Sequence, residues 1–164
     1  ITARGKWYYA SWKGDNEKSG GIATNIGIHF FDMLTWIFGE IEKSIVHLHR
    51  HDRASGVLLF KNARVKWFLS INEDTLPNEM KKAGQSTYRH LTIDGQSIDF
   101  TEGFDNLHSK SYEAILNGNG FAIDDAIPAI QIVHNIRNAK LTPLKGEYHP
   151  FAKKPLSIHP FQMK

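Results

Sequence analysis

Ser19-Gly20-Gly21-Ile22-Ala23-Thr24-Asn25-Ile26-Gly27-Ile28-His29-Phe30-Phe31-Asp32 is the stretch on which the fold turns. A glycine pair opens a helix there, and Ser19 stands where a cap is needed. Asn25 and His29 are four apart, His29 and Asp32 three apart, and Asn25 and Trp36 eleven apart, so at 3.6 residues per turn the four share a narrow polar face. Ile26, Phe30, Met33, Leu34 and Ile37 fall on the other side and read as core. Gly39 is expected to end the helix as a left-handed cap. A polar stripe on a helix with a glycine entry suits a ligand site, because the backbone there can be approached closely and its free N–H groups favour anions.

Working outward, Arg4–Trp12 is rich in aromatics and reads as a strand. Beyond the helix of residues 20–38, three strands are expected at Lys43–Arg50, Ala54–Phe60 and Arg64–Asn72, with Val65, Trp67, Leu69 and Ile71 on one face. A polar loop over residues 73–86 precedes a hairpin, Tyr88–Asp94 and Ser97–Thr101, turning at Gly95-Gln96. Helices follow at Phe104–Asn117 and from Asp125, a candidate cap with Pro128 in the first turn, to about Lys140. The tail, residues 141–164, holds four of the six prolines and reads as an extended or wrapped arm. The whole is an α+β pattern: a domain over 1–140 built on an open, mainly antiparallel sheet of five or six strands with helices on one face, then the arm. The other sheet face carries apolar side chains that need cover, so a homo-oligomer joined through that face is expected.

Composition sets the remaining bounds. A chain of 164 residues with 41% hydrophobic and 23% charged residues is an ordinary globular domain. The net charge of +3 admits an anionic ligand, but Lys and Arg are scattered, which argues against nucleic acid. There is no cysteine, hence no disulfide or thiolate chemistry, in keeping with a cytoplasmic setting. No apolar run reaches membrane-spanning length. No Gly-x-Gly-x-x-Gly joins a strand to a helix, so these residues are not expected to bind a dinucleotide unaided. The abrupt start at Ile1 reads as the C-terminal part of a longer protein.

His29 is the main candidate for chemistry, since an imidazole can exchange a proton with a substrate hydroxyl near neutral pH. Asn25 can hold that hydroxyl, and Asp32 can fix the ring's tautomer; a core histidine bonded to a carbonyl is the plainer alternative. His47, His49 and His51 alternate along one strand, but rings two apart on a strand diverge and no Cys or carboxylate follows at ligand spacing, so no metal site is assigned. Arg4, Lys13, Lys18, Tyr88 and Arg89 are candidates for a phosphate or carboxylate, with plain surface charge as the alternative for each. Trp7, Tyr8, Tyr9 and Trp12 read as core, and His108 with Tyr112 as either cleft or packing.

Residues 19–32 resemble the signature of the C-terminal domain of the Gfo/Idh/MocA oxidoreductases. Arg4-Gly5-Lys6-Trp7-Tyr8, Ser11-Trp12-Lys13-Gly14, Thr87-Tyr88-Arg89, Leu107-His108-Ser109-Lys110-Ser111-Tyr112 and Asp124-Asp125-Ala126-Ile127-Pro128-Ala129 are similar to its UDP-N-acetylglucosaminuronate 3-dehydrogenase branch. The resemblance implies an N-terminal Rossmann domain, absent from this chain, that binds NAD or NADP and carries the catalytic lysine in a Glu-Lys-Pro motif. It implies a substrate-binding domain here, His29 as the family histidine, and hydride removal from C3 of a UDP-linked N-acetyl-glucuronate. Many members carry Asp where this chain has Asn25, which removes a carboxylate relay at that point. Arg4, Lys13 and Arg89 are the implied holders of the nucleotide sugar's anionic groups. The alternative is a non-enzymatic sugar-binding or assembly module on the same fold.

Overall fold

Three antiparallel strands make the centre of the molecule: β1 (Ile41–His49), β2 (Arg53–Phe60) and β3 (Arg64–Ser70), in that spatial order. The computed structural model describes residues 1–99 and 106–161. Each hairpin is tight, and β2 is buried along nearly its whole length because it has a neighbour on each side and cover on each face. A second, two-stranded sheet pairs β4 (His90–Ile93) with β5 (Gln96–Asp99). The architecture is α+β and antiparallel as expected, but the described strands divide three and two instead of forming one sheet of five or six. Residues 100 and 101 of the expected fifth strand, and Gly103 with the first two residues of the helix expected from Phe104, lie outside the described residues.

The missing edge strand has a local cause. Lys6–Ala10 is a one-turn helix, α1, not a strand. Ser11 closes it, its amide donating to Trp7 O and its hydroxyl to Tyr8 O at 2.8 Å. The helix buries Tyr8 and leaves Lys6 and Ala10 exposed, where a strand's alternation would put all three on one face. The segment before it is extended: Thr2, Ala3 and Arg4 donate from their backbone nitrogens to Ser70 O, Ser86 O and Ile71 O.

Helices cover one sheet face. After α2 (Asn16–Ser19) comes a π turn, Ala23–Gly27, which runs into α3 (Ile28–Phe38). Gly39 ends α3 with φ 81° and ψ −157°, a positive-φ stop but not the left-handed helical one expected. Beyond α4 (Asn78–Lys82) and α5 (Leu107–Leu116) lies α6 (Ile123–Asn138), which packs beside α3. Asp125 accepts from Ala122 N at 2.6 Å, so α6 starts two residues before the expected cap and Pro128 lies beyond its first turn. Phe31, Leu34, Ile132, Val133 and Ile136 pack on Val46, Ala54, Leu58, Trp67, Leu69 and Ile71. The core side of the central helix is thus Ala23, Gly27, Phe31 and Leu34; Ile26, Phe30 and Met33 border it, and Ile37 is exposed. The rotation follows from Gly27, where a Cβ would lie 2.6 Å from Leu69 Cδ1 and 2.8 Å from Phe31 Cε2, so sheet and helix meet closest at a residue with no side chain.

The tail covers the second face. Thr142 N donates to Val46 O, and both ring nitrogens of His47 lie 3.0 Å from carbonyl oxygens, those of Thr142 and Glu147. His149 stacks on Phe68 with ring centres 5.6 Å apart. Farther along, Arg53 donates to Pro155 O at 2.8 Å, and Asp52 accepts from Arg53, from Asn72 and from Ser157 Oγ at 2.6 Å. The apolar face expected to need a second copy is therefore covered, over His47, Arg53 and Phe68, by the same chain's own arm.

Candidate active site

The helix entry is built from two consecutive residues at positive φ, Gly20 at 75° and Gly21 at 76°, a backbone that other residues rarely adopt. A Cβ on Gly20 would lie 2.5 Å from Thr24 Oγ1, so freedom and space both require glycine. Ser19 Oγ accepts from Gly21 N and donates to Lys13 O, tying the entry to the preceding loop. Two side chains then take carbonyls four residues back: Thr24 Oγ1 donates to Gly20 O and Asn25 Nδ2 to Gly21 O, both at 3.1 Å. Side chains that occupy the carbonyls of a first turn compete with the α ladder, and the backbone widens there into the π turn.

Asn25 sits half-buried in that turn, and its Nδ2 also reaches Lys13 O at 3.4 Å. Farther along the helix, His29, Asp32 and Trp36 are all exposed, Trp36 at 82%. Among the described residues the His29 ring has no hydrogen bond, and the Asp32 carboxylate does not reach it; only the Asp32 carbonyl is used, by Thr35. His29 is therefore not the core histidine of the plainer alternative but an imidazole open on both nitrogens.

Tyr8, expected in the core, is there, and it also lies beside Arg4 and Asn25, which its sequence does not announce. It is 4% exposed, and its buried hydroxyl has the Asn25 side chain beside it but no well-formed hydrogen bond among the described residues. Burial pushes the Tyr8 hydroxyl pKa up, while the Arg4 guanidinium and the neighbouring Asn25 side chain pull it back. Arg4, Tyr8 and Asn25 are thus close together beside the helix that carries His29. An aromatic in an aromatic run gives no sign of such a role; only the one-turn helix, which turns Tyr8 inward, singles it out.

The other expected residues divide. Lys13 meets Asn25 through its carbonyl, while its ammonium lies 5.8 Å from the Trp12 ring centre. Arg89 is half-buried on the segment that pairs with residues 1–3. The histidine row disperses. His47 faces the tail, at a register break between Val46 and Leu48. His49 has its Nε2 beside Gly21, with burial and the Arg137 charge holding its pKa down. His51 packs against Tyr9 and His159. No group of three metal-ligating side chains converges among the described residues. His108 and Tyr112 are exposed on α5, away from the packed body.

The chain as a whole is similar to known proteins. Residues 1–80 match the family described as "Oxidoreductase family, C-terminal alpha/beta domain". Two crystal structures of the WlbA (WbpB) dehydrogenase from Thermus thermophilus superpose on the chain with a TM-score of 0.88 each. One, 43% identical, is a complex with NAD and UDP-GlcNAcA; the other, 45% identical, is a complex with NAD and alpha-ketoglutarate. Each match covers 92% of this chain but 49% of the relative, so the chain spans about half the length of the proteins it matches.

Proposed function

This chain belongs to the Gfo/Idh/MocA oxidoreductase family, as its C-terminal α/β domain, and from that premise we propose that it is the substrate-facing half of an NAD(P)-dependent dehydrogenase that oxidises C3 of a UDP-linked N-acetyl-glucuronate. The observation that carries the proposal is the exposed, unpartnered His29, one turn after an Asn25 fixed in a π turn, on a domain 43% identical to a dehydrogenase complexed with NAD and UDP-GlcNAcA. The described residues do not form a dinucleotide cradle: every strand pair is antiparallel, with no glycine loop between a strand and a crossover helix. The cofactor therefore goes with the half of the relatives' length outside this chain, where it supplies the acceptor for the substrate's hydride.

These residues supply the proton side. Oxidation of a carbinol removes a hydride from carbon and a proton from oxygen, leaving a ketone. His29, open at both nitrogens, receives the proton. Asn25, whose Nδ2 is spent on Gly21 O and Lys13 O, offers its Oδ1 to a neighbouring hydroxyl of the sugar and so orients the ring. Arg4 neutralises an anionic group of the substrate, and Lys13 and Arg89 add positive charge at the edges. Positioning of this kind accounts for much of the rate in such reactions. In place of the covered sheet face, self-association falls to the apolar side chains left exposed on α5 and at the start of α6, such as Leu116 and Ile123. No described helix is long and apolar enough to cross a membrane.

The test is turnover of UDP-GlcNAcA by the full-length enzyme with NAD, read as reduced-nicotinamide absorbance. Growth of that absorbance only with the nucleotide sugar is the expected result. Its absence with every nucleotide sugar supplied contradicts the proposal.

A further inference from the structure

The outer side of the helical layer is apolar at one end and carries the open imidazole at the other. α3 and α6 lie side by side on one sheet face, so the sides they turn away from the sheet look the same way. On α3 that side bears His29 and, seven residues later, Trp36. Seven residues are two turns of an unbroken α-helix, so the two side chains point in nearly the same direction about 10 Å apart along the axis. Trp36 and Ile37 beside it are both exposed. On α6 the buried side is Ala129, Ile132, Val133 and Ile136, and the side away from it carries Ile127 and Ile130, each about half exposed. The two helices run in opposite senses: the Arg137 charge near the end of α6 acts on His49, whose Nε2 lies beside Gly21, before the start of α3. Ile127, in the first half of α6, is therefore at the Trp36–Ile37 end of the layer.

Among the described residues nothing lies over these four side chains. The tail is on the opposite sheet face, and α5 stands away from the packed body. A tryptophan and three isoleucines left together in water mark a contact surface. Chemistry selects what sits on it. A hydride passes only between atoms about 3–3.5 Å apart. Whatever holds the hydride acceptor must therefore stand against a sugar whose hydroxyl meets His29, and so must border the His29 side of α3. Trp36 is two turns farther along that same side. The relatives supply the occupant's size: this chain covers 49% of their length, which leaves a further domain's worth of chain to be seated.

We propose that Trp36, Ile37, Ile127 and Ile130 are the seat on which the cofactor-holding half of a longer chain docks, and that this contact fixes the distance between His29 and the hydride acceptor. The inference rests on the dehydrogenase reading for the identity of the occupant. It leaves Leu116 on α5 and Ile123 at the tip of α6 to self-association, so the two contacts do not compete for one surface.

A photoreactive benzoylphenylalanine in place of Ile130 in the full-length enzyme tests it, with no substrate or cofactor added. The expected product runs at the mass of one chain, and its linked peptide comes from outside this domain. A product of twice that mass assigns the patch to a second copy and overturns the proposal. So does a link confined to this domain, or no link at all. Ile127→Asp with Ile130→Asp tests the consequence. Both side chains point outward, so circular dichroism and subunit number are expected to stay unchanged while turnover falls about tenfold or more, as misplacing the reacting groups by a fraction of an ångström does. Unchanged turnover overturns the claim that the contact sets the distance. The two readings fail separately. A link to the other half in a protein that oxidises no nucleotide sugar leaves the seat standing without the dehydrogenase. Turnover by a protein whose position 130 links to a second copy leaves the dehydrogenase standing without the seat.

Discussion

Asn25 is held by two donated hydrogen bonds, to Gly21 O and Lys13 O, and in turn stands beside a buried hydroxyl that makes no well-formed hydrogen bond among the described residues. The two residues should respond differently to truncation. Asn25→Ala removes made bonds and should cost this chain about 1–2 kcal/mol in urea unfolding. Tyr8→Phe removes only an unpaired group, so stability should stay within about 0.5 kcal/mol or rise. Affinity for the nucleotide sugar should nevertheless fall in Tyr8→Phe. A loss of stability without a loss of affinity would make Tyr8 a packing residue and nothing more. His29 was legible in the sequence because an exposed polar residue among apolar neighbours at helical spacing survives a modest error in helix geometry. The burial of Tyr8 was legible but its place beside Arg4 and Asn25 was not, because a run of aromatics reads equally as strand, and only the turn at Ser11 makes it a helix.

The central helix is where pattern and packing part. Its limits follow from residues that act locally, the glycine pair before it and Gly39 after it, and those limits were readable. Its buried side was not. Hydrophobicity points to the isoleucines, but the sheet approaches at Ala23 and Gly27, which carry little or no apolar weight, and the π turn shifts the register behind them. The three hairpin strands were readable because alternation and turn residues agree there. The expected single large sheet failed because the first strand is a helical turn and β4–β5 stands apart from the central three. Gly27→Ala tests this account of the helix. The added methyl meets Leu69 and Phe31, both buried, and should destabilise the chain by about 1–3 kcal/mol in urea. Unchanged stability would mean that helix and sheet do not meet as described.

At the scale of the molecule, the tail turns a one-sided sheet into a covered one. Its prolines announced an extended arm; its destination was not readable, because the sheet receives it mainly through backbone carbonyls, which no side-chain pattern encodes. Acid should release it in order. Burial holds the His149 pKa down at about 4, with the Lys66 charge adding to the effect, and Phe151 N donates to the unprotonated Nδ1. A depressed histidine stabilises the fold fully above its usual value near 6.5, and that contribution is lost as pH falls from there toward 4. At Asp52, burial works to raise the pKa, but hydrogen bonds from Arg53, Ser157 and Asn72 outweigh it and the value is lowered, so this clamp persists to lower pH. Exchange of the Phe151 amide, corrected for its intrinsic rate, should quicken between pH 6.5 and 4 while the amides around Asp52 stay protected; simultaneous release would contradict a stepwise tail. The division of labour between halves makes a parallel claim: NAD titrated into this chain alone should give no binding heat, and micromolar affinity would refute it. The central claim, that the domain presents an open imidazole to a sugar hydroxyl, is tested most directly by turnover of His29→Ala in the full-length enzyme. The account predicts a fall of about a hundredfold or more with nucleotide-sugar affinity retained. Near-normal turnover would contradict it.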